Sequence, residues 1–280
     1  MPRMTQGLSN YEAGNSHGSN RKAVPIAKAV KERLAMKVPW SVTIFLLSFV
    51  ITVRAEKRDV TFNAADGFAL NGTLYSADKP GPGVLLLHQC DANRQVYDNL
   101  ATMLNTAGYS VLTFDFRGVS EKPSPGVQQL TAEQQKSMAG DIDTALSFLK
   151  SQNTVNPRAL GVLGADCAVN EAIHAGQRHP EIRTLVLLSG GTDAEGEAYM
   201  KNSPRVAILG VASDEDTDSA AAMKKLVTLS TNSESQLEML SQAGHAAAMF
   251  AKQPDLEPDI VVWFRSNLSV AGYGLPPAIK

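Results

Sequence analysis

Apolar and polar residues alternate between residues 59 and 78, which is the pattern of strands that bury one face. Asp66-Gly67 and Asn71-Gly72 interrupt this alternation, and both dipeptides favour tight hairpin turns. The pattern therefore predicts an antiparallel ribbon that turns at these two dipeptides.

From residue 83 onwards, short continuous apolar runs alternate with stretches in which apolar residues have helical spacing. Continuous runs are typical of strands buried on both faces, and helical spacing is typical of helices with one buried face. The predicted strands cover residues 83–89, 109–116, 159–165, 184–190, 206–212 and 236–241. The predicted helices carry the stripes Val96, Leu100, Leu104, Ala107 and Met138, Ile142, Leu146, Leu149, with others at 167–177 and about 260–264. Strands that alternate with helices indicate a mostly parallel sheet covered on both faces.

An apolar run over residues 38–53 follows Lys37 and precedes small residues, which is the order of a signal peptide. We therefore expect residues 36–55 to be cleaved, the mature chain to begin at Glu56, and the protein to be periplasmic or secreted. In the alternative interpretation, the run stays uncleaved and anchors the protein to a membrane. The run is shorter than the ~20 residues that span a bilayer comfortably, which favours cleavage.

The first 35 residues show no pattern of a folded domain. Residues 1–20 are rich in Gly, Ser and Asn and have no apolar period, so burial cannot offset the entropy of ordering them. We predict that residues 1–35 are either disordered or lie upstream of a translation start at Met36. Residues 56–280 then form one domain.

Composition narrows the classes of function. Of the 280 residues 44% are apolar, which is enough for a sizeable core. Charged residues make up 19% and the formal net charge is -2, so nothing suggests binding to nucleic acid or to a membrane through a basic surface. No metal-ligand spacing is present. We expect neither a metal nor a cofactor, and we expect a small molecule as the substrate.

Functional residues of such sheets collect at the carboxyl ends of the strands. The predicted strand 159–165 runs into the sequence GADCA (164–168). A sharp turn of pattern G-x-S-x-G between strand and helix holds the nucleophile of α/β-hydrolases, because small neighbours permit a strained backbone. Asp166 stands in the place of that nucleophile, and Ala168 replaces the second glycine.

Two later segments supply an acid and a histidine in the chain order that this fold uses. His245 follows the last predicted strand, and four acidic residues lie between residues 214 and 218. Asp216 is the preferred acid, because it ends a four-residue segment after its strand. Asp214 is the alternative, and the acidic run is also typical of a solvated loop.

Four motifs together resemble the dienelactone-hydrolase-like branch of the α/β-hydrolase superfamily, across residues 60–268. The motifs are LLLHQC (85–90), FDFRG (114–118), LGADCA (163–168) and GH (244–245). The resemblance implies an α/β-hydrolase fold, and the short spacing over 192–205 leaves no room for a full cap domain. Departures from the family pattern are Gln89, Ser120, Asp166 and Ala168.

The resemblance also implies an oxyanion hole, the pair of backbone N–H groups that stabilises a negatively charged oxygen. It is built from the loop after His88, which contains Gln89 and Cys90, and from Cys167. His88 itself is expected to be a hydrogen-bonded structural residue. Because both segments point at one oxygen, and because export leads to an oxidising compartment, we predict a disulfide between Cys90 and Cys167.

The resemblance leaves three functions open. The first is a hydrolase of a small ester, lactone or related substrate that works through Asp166, Asp216 and His245. A second follows from the haloalkane dehalogenases and epoxide hydrolases of this superfamily, which use an aspartate nucleophile at an sp3 carbon. The third is a binding or structural protein that has lost catalysis, because Asp166 and His245 would form an ion pair.

Overall fold

A mixed eight-stranded sheet organises the chain in the computed structural model, which describes residues 56–117 and 132–268. The strands are β1 (Glu56–Asn63), β2 (Ala69–Ser76), β3 (Gly81–Leu87), β4 (Ser110–Phe114), β5 (Val155–Ala165), β6 (Ile182–Leu188), β7 (Ala207–Ser213) and β8 (Gln236–Leu240). Their order across the sheet is β1-β2-β4-β3-β5-β6-β7-β8. The pairs from β4 to β8 are parallel, whereas β1 and β2 run antiparallel to each other and β2 runs antiparallel to β4. The predicted mostly parallel sheet is confirmed.

Helices connect the parallel strands. The four predicted helices are confirmed, and three more, at 194–201, 217–229 and 248–252, are not predicted by the sequence pattern. They are α1 (Asp98–Thr106), α2 (Ala132–Lys150), α3 (Ala168–Arg178), α4 (Ala194–Lys201), α5 (Thr217–Leu229), α6 (Ala248–Lys252) and α7 (Leu256–Asn267), with a 3-10 turn at Arg94–Tyr97 before α1. In the described segment between β6 and β7, α4 is the only helix, and it packs on α3 and α5. A full cap domain is therefore absent there, as the spacing predicts.

The core lies on both faces of the sheet, because neighbouring residues of each strand point to opposite faces. In β3, Leu85 and Leu87 belong to the core cluster that includes residues of α2, α3 and α5, whereas Val84 and Leu86 belong to the cluster that includes residues of α1 and α7. The predicted stripe residues of α1 and α2 are buried, apart from the half-buried Val96. Burial on both faces explains why the parallel strands read as continuous apolar runs.

The antiparallel ribbon has one of the two predicted turns. β1 and β2 are joined around Asp66-Gly67, where Gly67 has φ +85°. The predicted turn at Asn71-Gly72 is wrong, because both residues lie within β2 and pair with β1. A Cβ atom at Gly72 would lie 2.6 Å from the carbonyl oxygen of Thr113 in β4. Gly72 is therefore needed for the close approach of two strands and makes no turn.

The interpretations of residues 1–35 and 36–55, and the departure at Ser120, lie outside the described residues. Within residues 56–117 and 132–268, no helix is long and apolar enough to cross a membrane.

Gly72→Ala should destabilise the protein, because the new methyl group meets backbone that cannot swing away. We expect the free energy of unfolding to fall by about 1–3 kcal/mol, measured by urea denaturation. Gly140→Ala is the matched control: Gly140 lies in α2 with no atom within 4 Å of an added Cβ, and alanine favours helix by about 1 kcal/mol. A Gly72→Ala protein as stable as wild type would contradict the packing described here.

Candidate active site

Asp166 lies at a sharp turn between β5, which ends at Ala165, and α3. Its φ is 52°, in the left-handed region that non-glycine residues rarely adopt. The turn closes tightly: a Cβ at Gly164 would lie 2.4 Å from the carbonyl oxygen of Ala168, and one at Gly190 would lie 2.4 Å from that of Asp166. Small neighbours therefore permit the turn, and the Asp166 side chain stays 39% exposed.

Strained backbone conformations are concentrated at the carboxyl edge of the sheet. Among the described residues, four that are not glycine have positive φ, and all follow a strand at its carboxyl end: Asp166, Ser189, Gln242 and Ala246. Each such conformation costs roughly 1–3 kcal/mol and persists only where its surroundings fix it. Gln242 and Ala246 lie on either side of His245, so the strain surrounds the candidate site.

His245 is brought between two carboxylates. Its Nδ1 lies 2.6 Å from Oδ2 of Asp216, and its Nε2 lies 3.4 Å from Oδ1 of Asp166. Asp214 is turned away and accepts hydrogen bonds from Ser241 Oγ and the backbone N–H of Gln242. The structure therefore places Asp216, and not Asp214, at the histidine.

The acidic turn, which we define as residues 213–216 at the end of β7, holds the histidine loop, which we define as residues 241–247. Its side chains accept three successive backbone N–H groups: Asp214 Oδ1 from Gln242 (3.1 Å), Ser213 Oγ from Ala243 (2.8 Å) and Glu215 Oε1 from Gly244 (2.7 Å). Hydrogen bonds, the largest from Ser213, lower the pKa of Glu215 to about 2. Sequence reasoning missed this clamp, because an acidic run carries no signal of which distant N–H groups it binds.

His88 fixes the oxyanion loop, which we define as residues 89–93. The ring is fully buried; its Nε2 accepts the backbone N–H of Phe116 at 3.1 Å, so Nδ1 carries the proton and donates to the carbonyl of Gln89 at 2.7 Å. Burial lowers the pKa of His88, which keeps it neutral. Because C=O and N–H point in opposite directions across a trans peptide, the N–H of Cys90 is turned away from His88. The predicted structural role of His88 is confirmed.

A disulfide joins Cys90 of the oxyanion loop to Cys167 beside Asp166, with 6.0 Å between the Cα atoms. The predicted bond is confirmed. The two residues are 77 positions apart in the chain, so the cross-link contributes roughly 4 kcal/mol in the chain-entropy model. It also removes Cys167 as a free nucleophile.

No protein-family model matches the chain. The thiohydrolase aneE of Aspergillus aculeatus is 30% identical over 129 residues, which are 46% of this chain and 40% of the thiohydrolase. The chain thus spans less than half of that relative. Dienelactone hydrolase of Anabaena variabilis superposes with a TM-score of 0.61 at 16% identity, covering 77% of this chain and 99% of that one. An esterase of Pyrococcus furiosus has a TM-score of 0.60 at 16% identity, covering 77% and 94%.

The chain has the α/β-hydrolase fold. The resemblance to dienelactone-hydrolase-like proteins is confirmed at the level of the fold. In that fold the turn after β5 is the position of the nucleophile. In residues 56–117 and 132–268, no three His, Cys, Asp or Glu side chains converge in a way that would hold a metal ion.

The ionisation of Asp166 is favoured by the two segments that are predicted to form the oxyanion hole. Burial raises its pKa, but hydrogen bonds from His245 and from the backbone N–H groups of Cys167 and Cys90 outweigh burial, so the pKa of Asp166 lies below its ordinary value. Both predicted N–H donors therefore contribute to the low pKa of Asp166. Gln89, the third residue predicted for the hole, uses its side chain elsewhere: its Oε1 accepts the backbone N–H of Ala247.

His245 is an imidazolium at neutral pH. The hydrogen bond to Asp166 is the largest cause, burial opposes it, and the bond to Asp216 adds to it, which together raise the pKa of His245 to about 9. A protonated imidazole can donate a proton but cannot accept one. His245 therefore becomes a base only after Asp166 loses its charge or after the imidazole has given up its proton.

The raised pKa of His245 predicts how stability depends on pH. Because the folded state holds this proton more tightly than the unfolded state, the contribution is complete below pH 6.5 and is lost as pH rises towards 9. We expect the wild type to lose about 1–2 kcal/mol over this range, a value reduced for solvent screening because the His245 side chain is 44% exposed. Urea unfolding at several pH values measures this loss. His245→Gln should show a flatter profile, and an unchanged slope in that variant would disprove the assignment.

Proposed function

We propose that the protein is a hydrolase in which the carboxylate of Asp166 is the nucleophile and His245, paired with Asp216, handles the proton. The observation that carries this proposal is the geometry of Asp166: it lies at the strained turn where this fold holds its nucleophile, with its Oδ1 3.4 Å from Nε2 of His245. Hydrolysis as the general reaction is also supported by the thiohydrolase and esterase relatives.

An aspartate at the position of the nucleophile disfavours direct acyl transfer. A Ser or Cys nucleophile leaves the two N–H groups free for the oxygen of the substrate's carbonyl. Here the same N–H groups help to keep the Asp166 carboxylate ionised, and attack of a carboxylate on an acyl carbon would give an anhydride. Attack on an sp3 carbon needs no oxyanion hole in its first step and gives an ordinary ester.

The proposed first step breaks a carbon–oxygen bond. One oxygen of the Asp166 carboxylate attacks an sp3 carbon of a strained ring, an epoxide or a small lactone, and forms the alkyl ester. The bonding electrons leave with the ring oxygen, and the His245 imidazolium supplies a proton to it. The chain is suited to an oxygen leaving group because His245 starts protonated beside Asp166. The indole N–H of Trp263, by contrast, donates to Thr184 in the core and is not available to bind a halide.

The second step uses Asp166 as its alkyl ester and His245 as the neutral imidazole. After esterification Asp166 has no charge, so the largest cause of the raised His245 pKa is gone and the neutral imidazole can accept a proton from water. Water attacks the ester carbonyl of Asp166, and the N–H groups of Cys90 and Cys167 stabilise the oxyanion that forms on it. Collapse breaks the bond to the alkoxide, which takes the proton from the imidazolium and leaves as the product hydroxyl. The proton that remains on the Asp166 carboxyl group then passes to His245, which restores the carboxylate and the imidazolium.

A non-catalytic binding protein is the second candidate. It is favoured by the same ion pair, because a protonated His245 between two carboxylates is stable without any substrate. The two candidates differ in whether Asp166 ever forms a bond to a ligand, which is what the following experiment measures.

A single turnover in heavy-oxygen water, with excess protein and a panel of small epoxides and lactones, should place the heavy oxygen in Asp166. The reason is that water attacks the carboxyl carbon and the product takes its oxygen from Asp166. Peptide mass spectrometry locates the label. Heavy oxygen found only in the product would show direct attack by water, and absence of turnover on the whole panel would favour the binding protein.

Two variants at the same position control this experiment. Asp166→Asn keeps the size and loses the nucleophile, so turnover should fall at least about 10³-fold. Asp166→Ser frees the two N–H groups and restores the ordinary nucleophile, so it should hydrolyse short activated esters and react with a fluorophosphonate probe. Efficient ester hydrolysis by the wild type, retained in Asp166→Asn, would contradict the role of Asp166.

We also propose that the protein is exported and acts in the periplasm or outside the cell. The signal-peptide pattern of residues 36–55 supports this, and the disulfide between Cys90 and Cys167 suits an oxidising compartment. Amino-terminal sequencing of protein from its native host should give Glu56 as the first residue. An amino terminus at Met1 or Met36 would show instead that the apolar segment is retained.

A further inference from the structure

The side chain of Gln89 spans the gap between the two loops that meet at Asp166. Its Oε1 accepts the backbone N–H of Ala247 in the histidine loop at 3.0 Å, and its Nε2 donates to Oδ1 of Asp91 in the oxyanion loop at 2.7 Å. Gln89 and Ala247 are 158 positions apart in the chain. The contact therefore ties together two segments that are adjacent only in the folded protein.

The histidine loop is bound by side chains from other segments on both sides of His245. The acidic turn holds the backbone before His245, where the last clamped N–H is that of Gly244. After His245 the backbone passes through Ala246, whose φ of 49° is strained. The next N–H belongs to Ala247, and Gln89 accepts it. His245 thus lies between one anchor from the acidic turn and one from Gln89.

The backbone that carries the Gln89 side chain is itself held in place. The carbonyl of Gln89 is fixed by the buried ring of His88, and the next residue, Cys90, is bonded to Cys167 beside Asp166. The chain of contacts is closed, because His245 Nε2 returns to Asp166 at 3.4 Å. A shift of the histidine loop away from Asp166 must break the Gln89 bond.

Asp91 gives the amide of Gln89 its direction. A carboxylate only accepts hydrogen bonds, so the NH₂ group of Gln89 must face Asp91 and the carbonyl oxygen must face Ala247. That direction presents an acceptor to the Ala247 N–H. Glycine is common at this position in the dienelactone-hydrolase-like branch, and it has no side chain that could make this contact.

We propose that Gln89 is a positioning residue: its side chain holds the histidine loop against the oxyanion loop and so keeps the imidazole of His245 at Asp166. Asp91 acts with it by orienting the amide. This inference rests on the proposed function for its meaning in catalysis, and its test is a measurement of geometry that needs no substrate.

Three variants of the full chain test whether the Gln89 side chain holds the histidine loop against the oxyanion loop. Gln89→Leu keeps most of the side-chain volume and removes both hydrogen bonds. Gln89→Glu keeps an acceptor for Ala247 but places a second carboxylate against Asp91. The combination of Gln89→Glu with Asp91→Asn exchanges the two groups, so that Asn donates to Glu, Glu accepts from Ala247, and the net charge equals that of wild type.

NMR measures two quantities separately: the pKa of His245, which reports the position of its ring, and the exchange rate of the Ala247 amide, which reports its hydrogen bond to Gln89. The pKa of His245 is read from its ring signals, which are assigned among the five histidines of the chain with His245→Gln. In Gln89→Leu we expect this pKa to fall by about one unit, because the imidazole moves from Asp166. The amide of Ala247 should exchange with solvent about tenfold faster, because its acceptor is lost. Gln89→Glu alone should lower the protection of Ala247, and the exchanged pair should restore both values.

Gln177→Leu is the matched control, because Gln177 lies at the far end of α3 and bonds to Glu195 and His174. It should leave the pKa of His245 and the exchange rate of the Ala247 amide at wild-type values. The inference is overturned if Gln89→Leu leaves the pKa of His245 unchanged, or if the exchanged pair fails to restore it. Since no substrate is used, these results stand whether or not Asp166 proves to be a nucleophile.

Discussion

A negative charge at the tip of a strained turn is the constraint around which the site is built. The Asp166 carboxylate is more than half buried from solvent, and burial alone would raise its pKa. The His245 imidazolium and the N–H groups of Cys90 and Cys167 offset that cost and keep the carboxylate ionised. These donors come from three different loops. The Asp166 carboxylate therefore stays ionised only when the three loops lie close together, and the site is the place where they do.

Each of those loops is held by contacts that do not touch the reacting groups. His88 and the disulfide fix the oxyanion loop, while the acidic turn and Gln89 fix the histidine loop. Left-handed residues at Asp166 and Ala246 show that the backbone is strained where the side chains must converge. Such strain persists only because the surrounding sheet, with strands buried on both faces, cannot relax locally.

The same ion pair explains both candidate functions. As a resting state, the protonated His245 between Asp166 and Asp216 is stable and closed to the acyl chemistry of a serine hydrolase. In the proposed enzyme, the imidazolium of this pair supplies a proton to the leaving oxygen, and the imidazole acts as a base once Asp166 is esterified. The fold, shared with esterases and dienelactone hydrolase at low identity, permits either outcome. The chemistry depends on one side chain at the turn after β5.

The sequence by itself determined the fold class, the order of the strands and of four helices (α1, α2, α3 and α7), and the edge of the sheet where Asp166, His245 and the acidic run must lie. These follow from periods of two and about four residues and from the rule that parallel strands end at one edge, which are local or topological constraints. Tertiary structure decided what depends on distance in space. It selected Asp216 over Asp214 for His245, assigned Gly72 to strand contact instead of a turn, and joined Gln89 to Ala247. Contacts between residues far apart in the chain leave no period in it, because each partner satisfies only its own local pattern.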